Sequence, residues 1–96
     1  MPRFKLAYQP IVSSKSHDLV GYEALLRPAD GVSAPEAVET ARRGGYLPEL
    51  EAAVLGRLLE EASAVRQRFF WNVTWESFSN PSFVRRIVRF VAGSAF

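Results

Sequence analysis

Between Pro28 and Glu36 the spacing of apolar side chains changes from that of a strand to that of a helix, and no other feature constrains the fold as much. Before the change lie two apolar runs, residues 4–12 (Phe-Lys-Leu-Ala-Tyr-Gln-Pro-Ile-Val) and residues 19–27 (Leu-Val-Gly-Tyr-Glu-Ala-Leu-Leu-Arg). Both are short and bounded by turn residues, as strands are. Pro10 pushes the first towards an edge or a bulge, and Pro28 stops the second. The polar stretch from Ser13 to Asp18 fits a turn, so the two strands are expected to pair antiparallel.

After the change, Ser33-Ala34-Pro35-Glu36 has the Ser-x-x-Glu spacing of a capping box with proline in the first turn, which predicts a helix start. Gly44-Gly45 ends that helix. Pro48 opens a second, in which Leu47, Leu50, Val54, Leu58, Ala62 and Val65 recur every three or four residues. Residues 69–74 (Phe-Phe-Trp-Asn-Val-Thr) read as a third strand. Asn80-Pro81 begins a last helix with Val84, Ile87, Val88 and Val91 on one face and Arg85, Arg86 and Arg89 on the other. The order is strand, strand, helix, helix, strand, helix. Such alternation implies an α/β fold whose first strand is antiparallel to the second and whose later strands are parallel.

Ninety-six residues, 48% of them hydrophobic, fit one small domain with a packed core. The absence of cysteine excludes disulfides and thiolate metal sites but leaves a site built from oxygens open. A net charge of +2 is too balanced for nucleic-acid binding by bulk electrostatics. The five arginines among the last 36 residues read as a solvated basic face. No run approaches the ~18 apolar residues that span a bilayer, and no apolar leader core opens the chain, so a cytosolic location is expected. The Asn72-Val73-Thr74 match to a glycosylation acceptor is then accidental.

Glu23 stands out, because a carboxylate among Tyr22, Ala24, Leu25 and Leu26 is costly to bury alone. It can pair with Arg27, face water, or bind a metal. Asn72, between Trp71 and Val73, can cap the loop after its strand or offer a carbonyl oxygen. Both lie towards the C-terminal ends of their expected strands, where α/β barrels collect functional groups. A carboxylate and an amide carbonyl suit magnesium, calcium or manganese. Arg27, four residues after Glu23, shares its face in a strand. It can clamp a phosphodiester or pair with Glu23. Gln9 can present its amide to a ligand or to neighbouring backbone. His17 fits an ordinary exposed turn residue, and Trp71, Trp75, Phe78 and Phe83 fit core or lid packing.

Tyr8-Gln9-Pro10-Ile11-Val12 resembles the opening strand of EAL domains, and Gly21-Tyr22-Glu23-Ala24-Leu25-Leu26-Arg27 resembles their signature in its fuller Glu-x-Leu-x-Arg form. Pro35 to Gly45, Leu47 to Leu55, Asn72-Val73-Thr74 and Phe78 to Phe83 are similar to the segments that follow in that family, in order and at similar spacing. The resemblance implies a β/α (TIM-like) barrel and a phosphodiesterase that linearises cyclic di-GMP with Mg2+ or Mn2+. On the matching positions it implies Glu23 and Asn72 as metal ligands, and Gln9, Leu25 and Arg27 as substrate-binding residues, with Arg27 on a phosphate. Thr74 stands where serine is usual and Trp75 is bulkier than the common residue.

A whole barrel of this type takes roughly 250 residues. Residues 1–96 therefore correspond to the N-terminal portion of an EAL domain, a partial barrel, with Gly93-Ser94-Ala95-Phe96 falling where a next strand is due. The family's further metal-binding glutamate, paired aspartates, catalytic lysine and last glutamate are not in it. The chain by itself is expected to be inactive, to bind cyclic di-GMP weakly or not at all, and to form homo-oligomers through its exposed sheet edge. The alternative is a degenerate EAL module that serves protein interaction or oligomerisation.

Overall fold

The structure is a computed structural model that describes residues 3–92, the side chains of Val91 and Ala92 aside. The expected place of Val91 on an apolar face, and of Gly93 to Phe96 before a further strand, lie outside the described residues.

Strand β1 (Phe4–Val12) and strand β2 (Leu19–Pro28) form an antiparallel pair in which Gln9 opposes Glu23 and Lys5 opposes Arg27. The register shifts between Ile11 and Val12, next to Pro10, where a proline favours an irregular ladder. The turn between them closes through Ser13 N–H to the Asp18 carbonyl and His17 N–H to the Ser13 carbonyl, both 2.9 Å. His17 is exposed there with φ 63°. Pro28 does not stop β2 short but is its last residue, opposite Phe4.

Helix α1 (Ala34–Gly44) begins as its sequence predicts: Ser33 Oγ accepts the Glu36 N–H at 3.2 Å. It ends on Gly45 at φ 77°, where the Tyr46 N–H reaches back to the Ala41 carbonyl at 2.9 Å. Helix α2 (Leu47–Ala62) buries Leu47, Leu50, Val54, Leu55, Leu58 and Ala62. Val65, expected on this stripe, falls beyond the helix end and is exposed. One side of α2 packs on β2 through Ala24, Leu55, Leu58 and Ala62, with Trp71, Ile87 and Phe90 against them. Its start packs on α1 through Ala41, Leu47 and Leu50.

Strand β3 (Phe69–Trp71) pairs parallel with β2, giving the sheet order β1-β2-β3. It is half the length that residues 69–74 suggested, because Thr74 leaves the ladder to cap a short helix, α3 (Trp75–Phe78), by accepting the Ser77 N–H. The observed order thus has one small helix more than expected, on the same α/β plan.

Helix α4 (Pro81–Ala92) starts where Asn80 Oδ1 accepts the Phe83 N–H at 3.1 Å. Its apolar stripe is rotated from the expected one. Phe83, Ile87 and Phe90 face the core, while Val84 and Val88 are exposed. The cause is Phe83, whose ring packs against Trp71 and edge-on to Phe78 (centroids 6.5 and 5.9 Å) and sets the helix's orientation. Arg85 and Arg89 are exposed as expected, but Arg86 is half-buried over the Phe90 ring, 5.9 Å from its centre. Trp75, expected to pack, is 81% exposed.

In the last turn of α2, the Tyr8 hydroxyl donates to Glu61 and ties β1 to the helix. Burial first, and then this bond to a carboxylate, push the Tyr8 phenol up to about 12.

Candidate functional site

The alternation of β2 sorts its side chains into two sets. Ala24 and Leu26 turn to the helices, where both pack into the core. Glu23, Leu25 and Arg27 therefore share the opposite face, which carries no helix among the described residues. Cross-strand neighbours share a face, so Lys5 and Gln9 of β1 and Phe70 of β3 join them.

On this face Asn72 Nδ2 donates to Glu23 Oε2 at 3.0 Å. The contact joins residues 49 apart in the chain and comes from the parallel register: Glu23 opposes Phe70, and Asn72 lies two residues further on. Glu23 is mid-strand in β2 rather than near its end, but it is level with the C-terminal end of the short β3. Glu23 makes no ion pair with Arg27 among the described residues. Four residues of extended chain separate their Cα atoms by ~13 Å, so a shared face does not bring them into contact. The Arg27 guanidinium is exposed and donates to the Leu26 carbonyl at 3.2 Å. Gln9 is exposed directly across from Glu23, and half-buried Leu25 separates the carboxylate from the guanidinium.

The five site residues named from the sequence therefore fall on one face, with Glu23 and Asn72 in contact, Gln9 beside them and Arg27 at the far end. Two further residues, which the sequence patterns do not single out, join the site. Lys5 opposes Arg27 and doubles the positive charge there; only the β1–β2 register places it. Glu51 is 6% exposed on α2 and accepts both the Thr74 N–H (2.8 Å) and the Thr74 hydroxyl (2.7 Å). Its sequence signal was a charged residue one position after Leu50 and three before Val54, inside a buried helical stripe. A cavity of about 280 Å³ opens beside the site, lined among others by Leu25, Arg27, Glu51, Trp71, Asn72 and Thr74.

From outside, the Arg42 guanidinium of α1 grips both carboxylate oxygens of Glu76 on α3 at 2.9 Å and also pairs with Glu39. The bond from Arg42 holds the Glu76 carboxyl below its ordinary range. Both partners are largely exposed, so this tie is weak.

Chemically, one end of the face offers a carboxylate and an amide, both carrying hard oxygen donors; the other offers two cations, with an apolar step between. No group of three or more His, Asp or Glu side chains able to hold a metal occurs among the described residues. No helix among them is long and apolar enough to cross a membrane. A family model described as "EAL domain" matches residues 2–95. No curated protein and no solved structure matches the chain.

Proposed function

The chain belongs to the EAL domain family, and we propose that its open sheet face is one part of a site that binds and linearises cyclic di-GMP. The observation that carries this reading is the 3.0 Å contact of Asn72 with Glu23 on a face that also bears Arg27. Glu23 and Asn72 are assigned to Mg2+ or Mn2+, Arg27 to a phosphate, and Leu25 and Gln9 to the length of the dinucleotide. The donor chemistry fits such a cation: a carboxylate and an amide oxygen are hard ligands. They fill only part of a coordination shell that takes six or more. When bound, the cation lowers the pKa of a water and neutralises phosphate charge. The chain's own contribution is to hold the ligand: Arg27 offers its planar fork to a phosphodiester, and Lys5 adds charge beside it.

Among the described residues we assign no general base to that face, and we propose binding without turnover. Titration of the chain with cyclic di-GMP and Mn2+ is expected to give heat that is lost in Glu23→Ala. In Arg27→Ala the affinity is expected to fall ~10-fold or more, the loss of a charge-assisted hydrogen bond. Heat in both variants equal to that of the unmodified chain, or release of linear product by the unmodified chain, would overturn the assignment.

A second reading, self-association, is favoured by the outer edge of β3. That edge is unpaired among the described residues, and Phe70 beside it is 45% exposed. Light scattering is expected to show mass rising with concentration, and less so in Phe70→Lys; a monomer mass at every concentration contradicts it.

A further inference from the structure

Asn72 sits one residue beyond the last ladder pair of β3, Ala24 with Trp71, so no pairing with β2 continues at its position. Its placement against Glu23 depends on where the chain goes next. Two residues on, Thr74 gives both its N–H and its hydroxyl to the Glu51 carboxylate, at 2.8 and 2.7 Å. The same Thr74 oxygen accepts the N–H of Ser77, which is fully buried, and so starts α3. Glu51 projects from the second turn of α2, the helix that buries most side chains, and has no ion-pair partner among the described residues.

A carboxylate in that position is costly unless its oxygens are hydrogen-bonded, and Thr74 supplies a donor to each of them. An apolar side chain would serve the packing of the stripe equally well. What the carboxylate adds is a fixed anchor for the turn between β3 and α3. We propose that Glu51 is the positioning residue of the site: through Thr74 it holds Asn72 in reach of Glu23. The proposal rests on the assignment of those two residues to the site, but the geometry it concerns exists without any metal. Side chains that orient ligands in this way commonly change metal affinity by a factor of ten or more.

The test is the Asn72 side-chain amide in 15N-correlated NMR spectra of the full chain without metal. In the unmodified chain its protons are expected to show the shift and slowed exchange of a donor to a carboxylate, and Glu23→Ala identifies that signature by removing it. Glu51→Gln and Thr74→Val are expected to move the Asn72 signals to those of a free side chain. Thr74→Ser, which keeps the hydroxyl and the N–H, is expected to restore them. Unmoved Asn72 signals in both variants, with otherwise dispersed spectra, overturn the proposal. If Glu51→Gln loses dispersion, Thr74→Val alone decides, since it leaves the stripe of α2 intact. Mn2+ added afterwards separates this proposal from the metal assignment. Broadening centred on Glu23 and Asn72, with affinity ~10-fold lower in Glu51→Gln, supports both. No broadening in the unmodified chain removes the metal assignment alone, and the amide signature still decides the role of Glu51.

Discussion

Phe83→Ala is expected to destabilise the fold by about 3–5 kcal/mol, the usual cost of emptying a buried aromatic position. Phe83 is 2% exposed and is among the largest fully buried side chains. Its ring meets Trp71 of β3 and Phe78 of α3, so one side chain joins the third strand, the short helix and α4. A domain of this size has about 5–15 kcal/mol in total and sits towards the lower end. Much of the variant is therefore expected to be unfolded in the absence of denaturant. Urea titration followed by tryptophan fluorescence measures it, with the midpoint lowered and the slope kept. Val88→Ala is the control: the same helix, 61% exposed, with an expected change below about 0.5 kcal/mol. Comparable midpoints for the two variants would mean that α4 does not pack through Phe83.

Gly21→Val is expected to cost about 3 kcal/mol and to disturb the candidate site as well. A Cβ at Gly21 would lie 2.5 Å from the Arg68 carbonyl oxygen, closer than any tolerated contact, and 3.1 Å from the Phe70 ring. That oxygen accepts the Tyr22 N–H at 2.9 Å, the bond that begins the parallel pairing of β2 with β3. It is backbone, so it cannot swing aside as a side chain would, and relief requires the strands to separate. Separation displaces Phe70, opposite Glu23, and Asn72 after it. Denaturation measures the stability loss, and the Asn72 side-chain amide reports the site. Gly31→Ala is the comparison: at φ 72° it carries left-handed strain of ~1 kcal/mol, but nothing lies within 4 Å of its Cβ. A Gly21→Val chain as stable as Gly31→Ala would refute the close approach.

Local elements were legible wherever one residue type enforces one geometry. β1 spans the nine residues from Phe4 to Val12 that its pattern indicated, and α1 starts on the Ser33 cap and ends on Gly45. β3 is shorter than its pattern indicates, because Asn-Val-Thr after Phe-Phe-Trp continues a strand by propensity. A distant carboxylate, Glu51, takes the two Thr74 donors and turns the chain into α3. In α4 the valine spacing predicts a stripe by count, whereas the fold turns the Phe83 ring into the core.

The period change after Pro28 and the Gly-Tyr-Glu-Ala-Leu-Leu-Arg run determined, from sequence alone, the first two strands, the first helix and the family resemblance. They also put Glu23, Leu25 and Arg27 on one face, since alternation is a property of the extended chain itself. Tertiary structure alone decided what each of them meets. Asn72 rather than Arg27 is the neighbour of Glu23, Lys5 stands beside Arg27, and Glu51 lies buried under Thr74. The physical reason is range. Periodicity reports the direction of a side chain, while its partner is set by a register between segments dozens of residues apart, here fixed by the approach of two backbones at Gly21.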